Sequence, residues 1–250
     1  MKRLYYLIFV YALVSATQGI NMYAQEPVAP ADNESVVQQP LAEELDNETK
    51  ALLNQYYTQA FDALRHGEYS YAAMMFEKYL EISETKFKVF EYLTQIYMHT
   101  EDYIKAIGVL TRAIHKDPSY LKGYTMLGTA YRESGLYDEA IAAYQRALEL
   151  KADSDTFLQL GLTYERKNQL DKAEEMYQET LQRNPFHAEA HFSIGLLRYR
   201  EKDYEDAYKR INLATQLDPK NHLYPIYLEK LKFEAESAGV PILMNEPENN

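Results

Sequence analysis

Residues 121–153 read LKGYTMLGTAYRESGLYDEAIAAYQRALELKAD, and this stretch decides the fold. Its apolar and small residues share one helical face in the first half and another in the second half, because residues three or four positions apart lie on the same side of a helix. The two sets are Tyr124, Leu127, Gly128 and Tyr131, then Ala140, Tyr144, Ala147 and Leu148. Gly135 lies between them and suits the left-handed conformation that ends a helix. The stretch therefore predicts a helical hairpin.

The same pattern recurs along the chain at a nearly constant period. A series of small residues and a series of alanines are both spaced by 34, 34, 33 and 34 residues. Their members are Ala60, Thr94, Gly128, Gly161 and Gly195, and Ala72, Ala106, Ala140, Ala173 and Ala207. A period of about 20–50 residues is typical of a solenoid. We therefore predict an all-α solenoid of five helical hairpins at residues 53–86, 87–120, 121–153, 154–187 and 188–221.

Turn-forming residues mark the limits of the helices. The slot between the two helices of each unit holds, in chain order, Gly67, Glu101, Gly135, Asn168 and Lys202. Glycine and asparagine favour the left-handed conformation that this slot requires, whereas Glu101 and Lys202 adopt it less comfortably. Pro118, Pro185 and Pro219 close three of the units, because proline cannot continue a helix.

This repeat resembles that of the tetratricopeptide repeat family. The matching residues are Tyr124, Leu127, Gly128, Tyr131, Ala140 and Tyr144 in the third unit, and Pro118, Pro185 and Pro219 at unit ends. Unit one departs from the pattern, because Ala63 replaces the usual first-helix tyrosine and no proline closes the unit. A degenerate unit is expected at the end of an array, where only one face needs a neighbour. The resemblance implies a right-handed solenoid that binds other proteins.

Residues 222–240 predict a C-terminal capping helix. Apolar residues share one face and charged residues lie opposite; the apolar set is Tyr224, Leu228, Leu231, Ala235 and Ala238. Pro225 suits the first turn, and Gly239 followed by Pro241 suits the end of the helix. A terminal cap with a polar outer face keeps a solenoid soluble. We expect residues 241–250 to form a flexible tail.

The first 24 residues have the three-part pattern of a secretory signal peptide. A short positive start precedes the apolar run Leu4–Val14 (LYYLIFVYALV), and small and polar residues follow it. The run is shorter than the roughly 20 residues that span a bilayer. Cleavage after Ala16 or after Ala24 fits the pattern, and an uncleaved anchor from Leu4 to Ile20 is the alternative. We therefore expect an exported protein in the periplasm, within the cell envelope of a Gram-negative bacterium.

The composition limits the classes of partner and of chemistry. Residues 25–50 hold seven acidic residues, one lysine and three prolines, and we expect them to form a disordered linker. The chain of 250 residues has a net charge of −12 and no cysteine. The negative charge argues against a nucleic-acid partner. The absence of cysteine excludes disulfides, thiolate metal sites and thiol nucleophiles.

No pattern of catalytic residues emerges from the sequence. The segment 123–129 (GYTMLGT) is similar to a phosphate-binding loop but lacks its lysine and falls within a predicted helix. His187 and His191 have a spacing that suits a metal, but no third ligand is evident and core packing explains them better. We expect a non-catalytic adaptor without metal or cofactor. The alternatives are a permanent structural subunit of a cell-envelope assembly and a regulatory subunit that positions a separate envelope enzyme.

In the tetratricopeptide repeat family the first helices line a concave groove for an extended peptide or a partner helix. The resemblance assigns to this groove Tyr57, Phe61, Arg65, Lys88, Tyr92, Gln95, His99, Lys122, Met126, Thr129, Arg132, Gln159, Leu162, Arg166, Ser193, Leu196 and Arg200. Some family members clamp a C-terminal carboxylate with lysine–asparagine pairs. The asparagine positions are not filled here, so Lys88 and Lys122 alone do not make that clamp.

Basic residues occupy the thirteenth position of four units, namely Arg65, His99, Arg166 and Arg200, with Glu133 in the remaining unit. We call the four residues the basic row. One interpretation is that they offset the helix macrodipole, which stabilises a helix by roughly 0.3–1 kcal/mol. The other is that they orient an acidic or carboxylate-bearing peptide. The sequence leaves both open, and it allows a membrane contact only through an envelope partner or an uncleaved anchor.

Overall fold

The computed structural model describes residues 45–240, and all regular structure in that range is helical. The helices are α1 (Asn47–Arg65), α2 (Tyr69–Ile82), α3 (Phe87–His99), α4 (Tyr103–Lys116), α5 (Leu121–Glu133), α6 (Tyr137–Leu150), α7 (Ser154–Arg166), α8 (Leu170–Arg183), α9 (Ala188–Arg200), α10 (Tyr204–Leu217) and α11 (Leu223–Ser237). The predicted signal peptide (1–24), residues 25–44 of the predicted linker and the predicted tail (241–250) lie outside the described residues.

Helices α1 to α10 form five hairpins in chain order. Each helix packs mainly against the helix before it and the helix after it, and α11 packs on α10. The hairpins are α1–α2, α3–α4, α5–α6, α7–α8 and α9–α10. The predicted all-α solenoid with a C-terminal capping helix is therefore confirmed.

Helix α1 begins earlier than the sequence pattern indicated. Asp46 caps its N-terminus, since Oδ1 accepts a hydrogen bond from the Thr49 backbone N–H and Oδ2 accepts one from the Thr49 hydroxyl, both at 2.8 Å. These bonds lower the pKa of the Asp46 carboxyl. Residues 47–50, which the sequence analysis assigned to the disordered linker, are helical. The polar composition concealed the start of α1, because a capping aspartate satisfies backbone donors that the first helical turn leaves open.

The two repeating series form the contact between the helices of each hairpin. All five alanines of the second series are fully buried. In the third and fourth units the small residue of the first series faces a tyrosine ring: a Cβ built on Gly161 would lie 2.5 Å from Cε1 of Tyr177, and one on Gly128 would lie 2.7 Å from Cε1 of Tyr144. A side chain at either glycine would overlap the ring, so the repeated small residues set the spacing of the helices.

All five turn slots adopt the left-handed conformation. The φ angles are +74° at Gly67, +58° at Glu101, +83° at Gly135, +60° at Asn168 and +63° at Lys202. At each turn the N–H of the following residue bonds back to a carbonyl five residues earlier, for example Asp102 to Tyr97 at 2.8 Å. This arrangement is a Schellman motif, which satisfies carbonyls at the helix end. The tight turn therefore overrides the local preference of glutamate and lysine.

Helix α11 covers the end of the array. Tyr224, Leu228, Leu231 and Ala235 are buried, and Leu228 and Leu231 join the cluster formed by residues of α10. Gly239, with φ +69°, ends the helix where the sequence placed its stop. Ala238, assigned to the buried face, is exposed, because the helix ends one residue before it. The outer face also differs from the expected polar surface, since it carries Leu223, Ile226 and Phe233.

Candidate functional site

The candidate site is the surface formed by the first helix of each unit, which we call the groove face. All seventeen residues assigned to the groove lie on α1, α3, α5, α7 or α9. They do not form one uniform binding surface. The structure divides fourteen of them among an aromatic cluster, a carboxylate cluster and two depressions. The exposed residues Arg65, Gln95 and His99 lie outside these groups.

The aromatic cluster occupies the N-terminal part of the groove face. The rings of Tyr57 and Phe61 are 4.9 Å apart, those of Phe61 and Tyr92 are 5.0 Å apart, and Tyr92 stacks on the buried Phe76 at 5.8 Å. Burial, and then the neighbouring Tyr92, raise the pKa of the Tyr57 hydroxyl. The three predicted groove aromatics are thus half-buried and pack on one another. Much of their surface serves the core of units one and two.

The carboxylate cluster is centred on Glu91, a buried residue of α3 that sequence reasoning missed. Its Oε2 accepts hydrogen bonds from Lys88 Nζ at 2.8 Å and Lys122 Nζ at 2.5 Å, and its Oε1 accepts one from the Tyr120 hydroxyl at 3.0 Å. Burial would raise the pKa of the Glu91 carboxyl, but these three bonds outweigh burial and lower it. Lys88 and Lys122 are therefore committed to an internal partner.

The signal for this cluster is present in the sequence. Lys88 and Glu91 are three residues apart on one helix, and Lys122 occupies the Lys88 slot one repeat later. Residues three apart on a helix are neighbours. Glu91 could therefore have been found as the carboxylate one helical turn from Lys88, with Lys122 in the equivalent slot of the next unit.

The first depression lies between α5 and α7 and has a volume of about 510 Å³. Four predicted residues line it: Lys122, Met126, Thr129 and Gln159. The hydroxyls of Thr129 and Tyr144 share a hydrogen bond of 2.9 Å, and Arg132 Nη1 donates to Gln159 Oε1 at 2.6 Å. Because these polar groups already have partners, the first depression leaves few groups free for a ligand.

The second depression lies between α7 and α9 and has a volume of about 620 Å³. Six predicted residues line it: Arg132, Leu162, Arg166, Ser193, Leu196 and Arg200. Phe192, Glu165 and Glu189 also line it and were not predicted. Ser193 needs a correction, because it is only 4% exposed. Its slot turns toward Tyr177 of α8, so the serine is mainly a packing residue.

The basic row is not one continuous surface. Arg166 and Arg200 line the second depression, whereas Arg65 and His99 do not. Arg65 pairs with Asp62 at 2.9 Å, and the His99 ring lies 4.4 Å from that of Tyr69.

The two arginines of the second depression differ in their partners. Arg200 Nη2 lies 2.6 Å from Glu165 Oε1, so this guanidinium is already paired. Arg166 is exposed and forms no ion pair with any residue between 45 and 240. The structure thus singles out Arg166 as the available cation of the basic row.

The two histidines lie at the junction of units four and five. His187 Nε2 is 3.2 Å from Asp155 Oδ1, and His191 Nε2 is 2.9 Å from the Pro185 carbonyl oxygen. Across residues 45–240 no three His, Asp or Glu side chains are grouped to hold a metal ion. Gly123 lies inside α5, where its backbone cannot form a phosphate loop. Within the same range, no helix is long and apolar enough to cross a membrane.

Comparison with known proteins identifies the repeat. A family model described as Tetratricopeptide repeat matches residues 95–155 and 158–222, and a second model of the same description matches residues 127–185. Among solved structures, the crystal structure of MamA is 26% identical, with a TM-score of 0.56 over 64% of this chain and 95% of that chain.

Two curated relatives match this chain over only a small part of their own length. The small glutamine-rich tetratricopeptide repeat-containing protein 2 of Saccharomyces cerevisiae is 28% identical over 44% of this chain and 32% of its own length. The human protein O-mannosyl-transferase TMTC1 is 25% identical over 66% of this chain and 19% of its own length. The chain thus spans a third or less of these relatives.

Proposed function

The chain belongs to the tetratricopeptide repeat family, whose members are generally protein-interaction adaptors, and we propose that it is a non-catalytic adaptor that holds a segment of a partner protein on its groove face. The segment lies across α7 and α9, in the second depression. The match to a transferase covers only 19% of that relative, and we carry no transferase activity over to this chain.

The observation that carries this proposal is the chemistry of the second depression. Leu162, Phe192 and Leu196 offer apolar surface, and Arg166 lies among them without an ion pair to any described residue. A segment with an apolar side chain next to a carboxylate would satisfy both features. Hydrogen bonds to charged groups contribute about 1.5–3 kcal/mol. The preferred ligand is therefore an acidic, partly apolar peptide segment.

The rest of the groove face contributes less to binding. Glu91 already accepts hydrogen bonds from Lys88 and Lys122, and Gln159 accepts one from Arg132. These groups would have to break existing bonds before they could bind a ligand. We therefore place recognition in units four and five and assign a supporting role to the N-terminal units.

A peptide selection tests this proposal. A random peptide library displayed on phage is panned against the purified chain, and selected peptides are synthesised for fluorescence anisotropy. We expect peptides that combine an acid with an apolar residue and bind with dissociation constants on the order of micromolar. The variant Leu162→Ala with Leu196→Ala should weaken binding at least tenfold while the helical circular dichroism persists.

The matched control is Leu213→Ala, which trims an exposed leucine on the second helix of unit five, outside the depression. This variant should bind the selected peptides like the unmodified chain. Selected peptides whose affinity survives the double variant would remove the second depression as the binding surface.

We also propose that the adaptor acts outside the cytoplasm, in the periplasm. The support for this is the positive start followed by the apolar run Leu4–Val14. N-terminal sequencing of the protein from its native cell tests it, with a mature terminus at Thr17 or Gln25 expected. A terminus at Met1 would contradict the cleavage, and recovery in the cytoplasmic fraction would contradict the export.

A permanent subunit of a larger assembly is the second candidate. The observation that favours it is the apolar outer face of α11, since a subunit that is always assembled exposes apolar surface when it is isolated. Purification from the native cell separates the two candidates. A stoichiometric complex that survives dilution would favour the subunit, and a partner lost on dilution would favour the adaptor.

A further inference from the structure

One face of α9 runs from an acid through apolar residues to a base. Residues three or four positions apart lie on the same side of a helix, and this face carries Glu189, Phe192, Leu196 and Arg200 in that order. All four line the second depression. Helix α9 therefore gives the second depression a negative end, an apolar middle and a positive end.

The free charges of the second depression lie at these two ends. Glu189 is exposed and forms no hydrogen bond or ion pair with any residue between 45 and 240. Arg132 and Arg200 already bond to other side chains, so within that range Arg166 is the arginine of the depression without an ion pair. Arg166 occupies in unit four the slot that Arg200 occupies in unit five. The depression therefore offers a free acid at the start of α9 and a free base at the end of α7.

A third depression continues the groove face from the negative end. It lies between the start of α9 and the start of α11 and has a volume of about 380 Å³. Phe192 and Glu189 line both the second and the third depression, so the two are contiguous. Phe192 packs on Tyr224 of α11 with 4.6 Å between the ring centroids. A side chain that leaves the second depression past Glu189 therefore meets an aromatic wall.

The third depression has an excess of negative charge. Asp218 lines it together with Glu189, and among the described residues no lysine or arginine does. Burial, and then the charges of Glu189 and Asp218, raise the pKa of the Tyr224 hydroxyl. His187 Nε2, on the wall, is already 3.2 Å from Asp155 Oδ1. Carboxylates next to aromatic rings suit a lysine or arginine side chain, because both attract a cation.

We propose that the partner segment is bipolar: a lysine or arginine of the segment binds Glu189 at the edge of the third depression, and an acid of the segment binds Arg166. Between these two contacts, an apolar residue of the segment packs on Leu162 and Leu196. The inference rests on the proposed function, because it concerns the same groove face. It adds the base to the ligand, and it fixes the order of the three groups along the segment.

The length of α9 sets the spacing of the two charges in the segment. Glu189 and Arg200 are eleven residues apart, which corresponds to a rise of about 16 Å along a helix. Arg166 has the Arg200 slot one unit earlier, so its level along the groove is similar. An extended chain covers about 3.3 Å per residue. The base and the acid of an extended segment are therefore about five residues apart.

Parallel phage selections test the inference. The random peptide library is panned against the purified unmodified chain and against Glu189→Gln. Peptides selected on the unmodified chain should combine a lysine or arginine with an acid about five residues away. Peptides selected on Glu189→Gln should keep the acid and the apolar residue and lose the base. Because the two selections differ in one side chain, the difference reports the contact of that side chain.

Fluorescence anisotropy measures the same contact. Glutamine in place of the base of a selected peptide should weaken binding to the unmodified chain roughly two- to fivefold, as expected for a solvent-exposed ion pair. The same peptide change should not alter binding to Glu189→Gln. Glu189→Lys should reverse the preference, so that the peptide with glutamate in place of its base binds better than the selected peptide.

Asp171→Asn is the matched control. Glu189 lies in the first turn of α9, where a carboxylate also stabilises the helix end. Asp171 is an exposed acid in the first turn of α8, forms no ion pair with any described residue and lines none of the three depressions. Its variant therefore loses a similar helix-end charge and should bind every peptide like the unmodified chain.

The outcomes separate this inference from the proposed function. Peptides selected without a base would overturn the inference and leave the adaptor proposal in place. A base-to-glutamine change that weakens binding equally to the unmodified chain and to Glu189→Gln would do the same. Peptides whose affinity survives Leu162→Ala with Leu196→Ala, in a chain that keeps its helical circular dichroism, would overturn both.

Discussion

Arg200 of unit five reaches back to Glu165 of unit four, with Nη2 2.6 Å from Oε1. The other oxygen of that carboxylate accepts a hydrogen bond from the buried Tyr177 hydroxyl at 2.8 Å. Burial, and then the charge of Glu165, raise the pKa of Tyr177, so the phenol stays protonated and keeps donating. Arg200 therefore belongs to a network that joins two units, whereas its equivalent in unit four, Arg166, has no such partner among residues 45–240.

The first prediction separates these two arginines. Arg166→Gln should leave the melting temperature unchanged. It should weaken the binding of the selected acidic peptides about tenfold, because one charge-assisted contact is lost. Arg200→Gln should cost about 0.2–1 kcal/mol of stability, the usual contribution of a solvent-exposed ion pair. Anisotropy titrations and urea unfolding measure the two effects. Equal peptide affinities for the unmodified chain and Arg166→Gln would show that Arg166 serves only its own helix end.

The second prediction concerns the buried carboxylate of Glu91. Glu91→Gln should destabilise the chain by about 1–3 kcal/mol at pH 7, since two lysines lose their charged partner. The pKa of Glu91 is below its ordinary value of 4.5, so its stabilisation is present above that pH and is lost as the pH falls through the folded-state value. The free energy of unfolding, measured from pH 7 to pH 3, should differ less and less between the unmodified chain and the Glu91→Gln variant as the pH falls. A gap that stays constant with pH would contradict the charged form.

The third prediction uses two glycines in helices as a matched pair. Gly161→Ala should lower the free energy of unfolding by about 1–3 kcal/mol, because the new methyl group would overlap Tyr177 and push the two helices of the hairpin apart. Gly108→Ala should stabilise by about 0.5–1 kcal/mol, because Gly108 lies in α4 with no atom near its missing side chain. Chemical unfolding of both variants measures the difference. A neutral Gly161→Ala would show that the helix spacing adjusts freely.

The fourth prediction concerns the turns that hold glutamate and lysine in the left-handed conformation. Glu101→Gly and Lys202→Gly should each stabilise by about 0.5–1 kcal/mol, since the side-chain penalty of about 1–2 kcal/mol exceeds the entropy cost of glycine. Gly135→Ala, at the same slot of unit three, should destabilise by a similar amount. Thermal melts of the three variants measure these shifts. A lower melting temperature for Glu101→Gly would mean that its side chain contributes more than its backbone strain costs.

The fold could be predicted from the sequence because the repeat period is visible without any knowledge of long-range contacts. The spacing of Gly128 and Ala140 located a hairpin, and the slot of Gly135 located equivalent turns even where Glu101 and Lys202 occupy them. The start of α1 was missed because one capping residue, Asp46, determines it. A local cap of this kind leaves no periodic signal.

The candidate site was predicted less completely than the fold. An equivalent position in the repeat places a residue on a helix face, but it does not tell which side chain of the neighbouring unit contacts that residue. The partners of Lys122 and Arg200 depend on contacts between helices of different units, and the slot of Ser193 was found to be buried. The exposed apolar residues of α11, Leu223, Ile226 and Phe233, were missed because only the charged residues of that face were considered.

Each described helix packs mainly on the helices next to it in sequence, and this has a mechanical consequence. A small change in one helix crossing is passed on to every later unit, so many small rotations add up along the array. The array of described helices can therefore bend or twist as a whole while the contacts between neighbouring helices are kept. A ligand that bridges α7 and α9 would fix the orientation of unit five relative to unit four. Because Phe192 of the second depression contacts Tyr224 of α11, at 4.6 Å between ring centroids, the ligand would also restrict the orientation of α11.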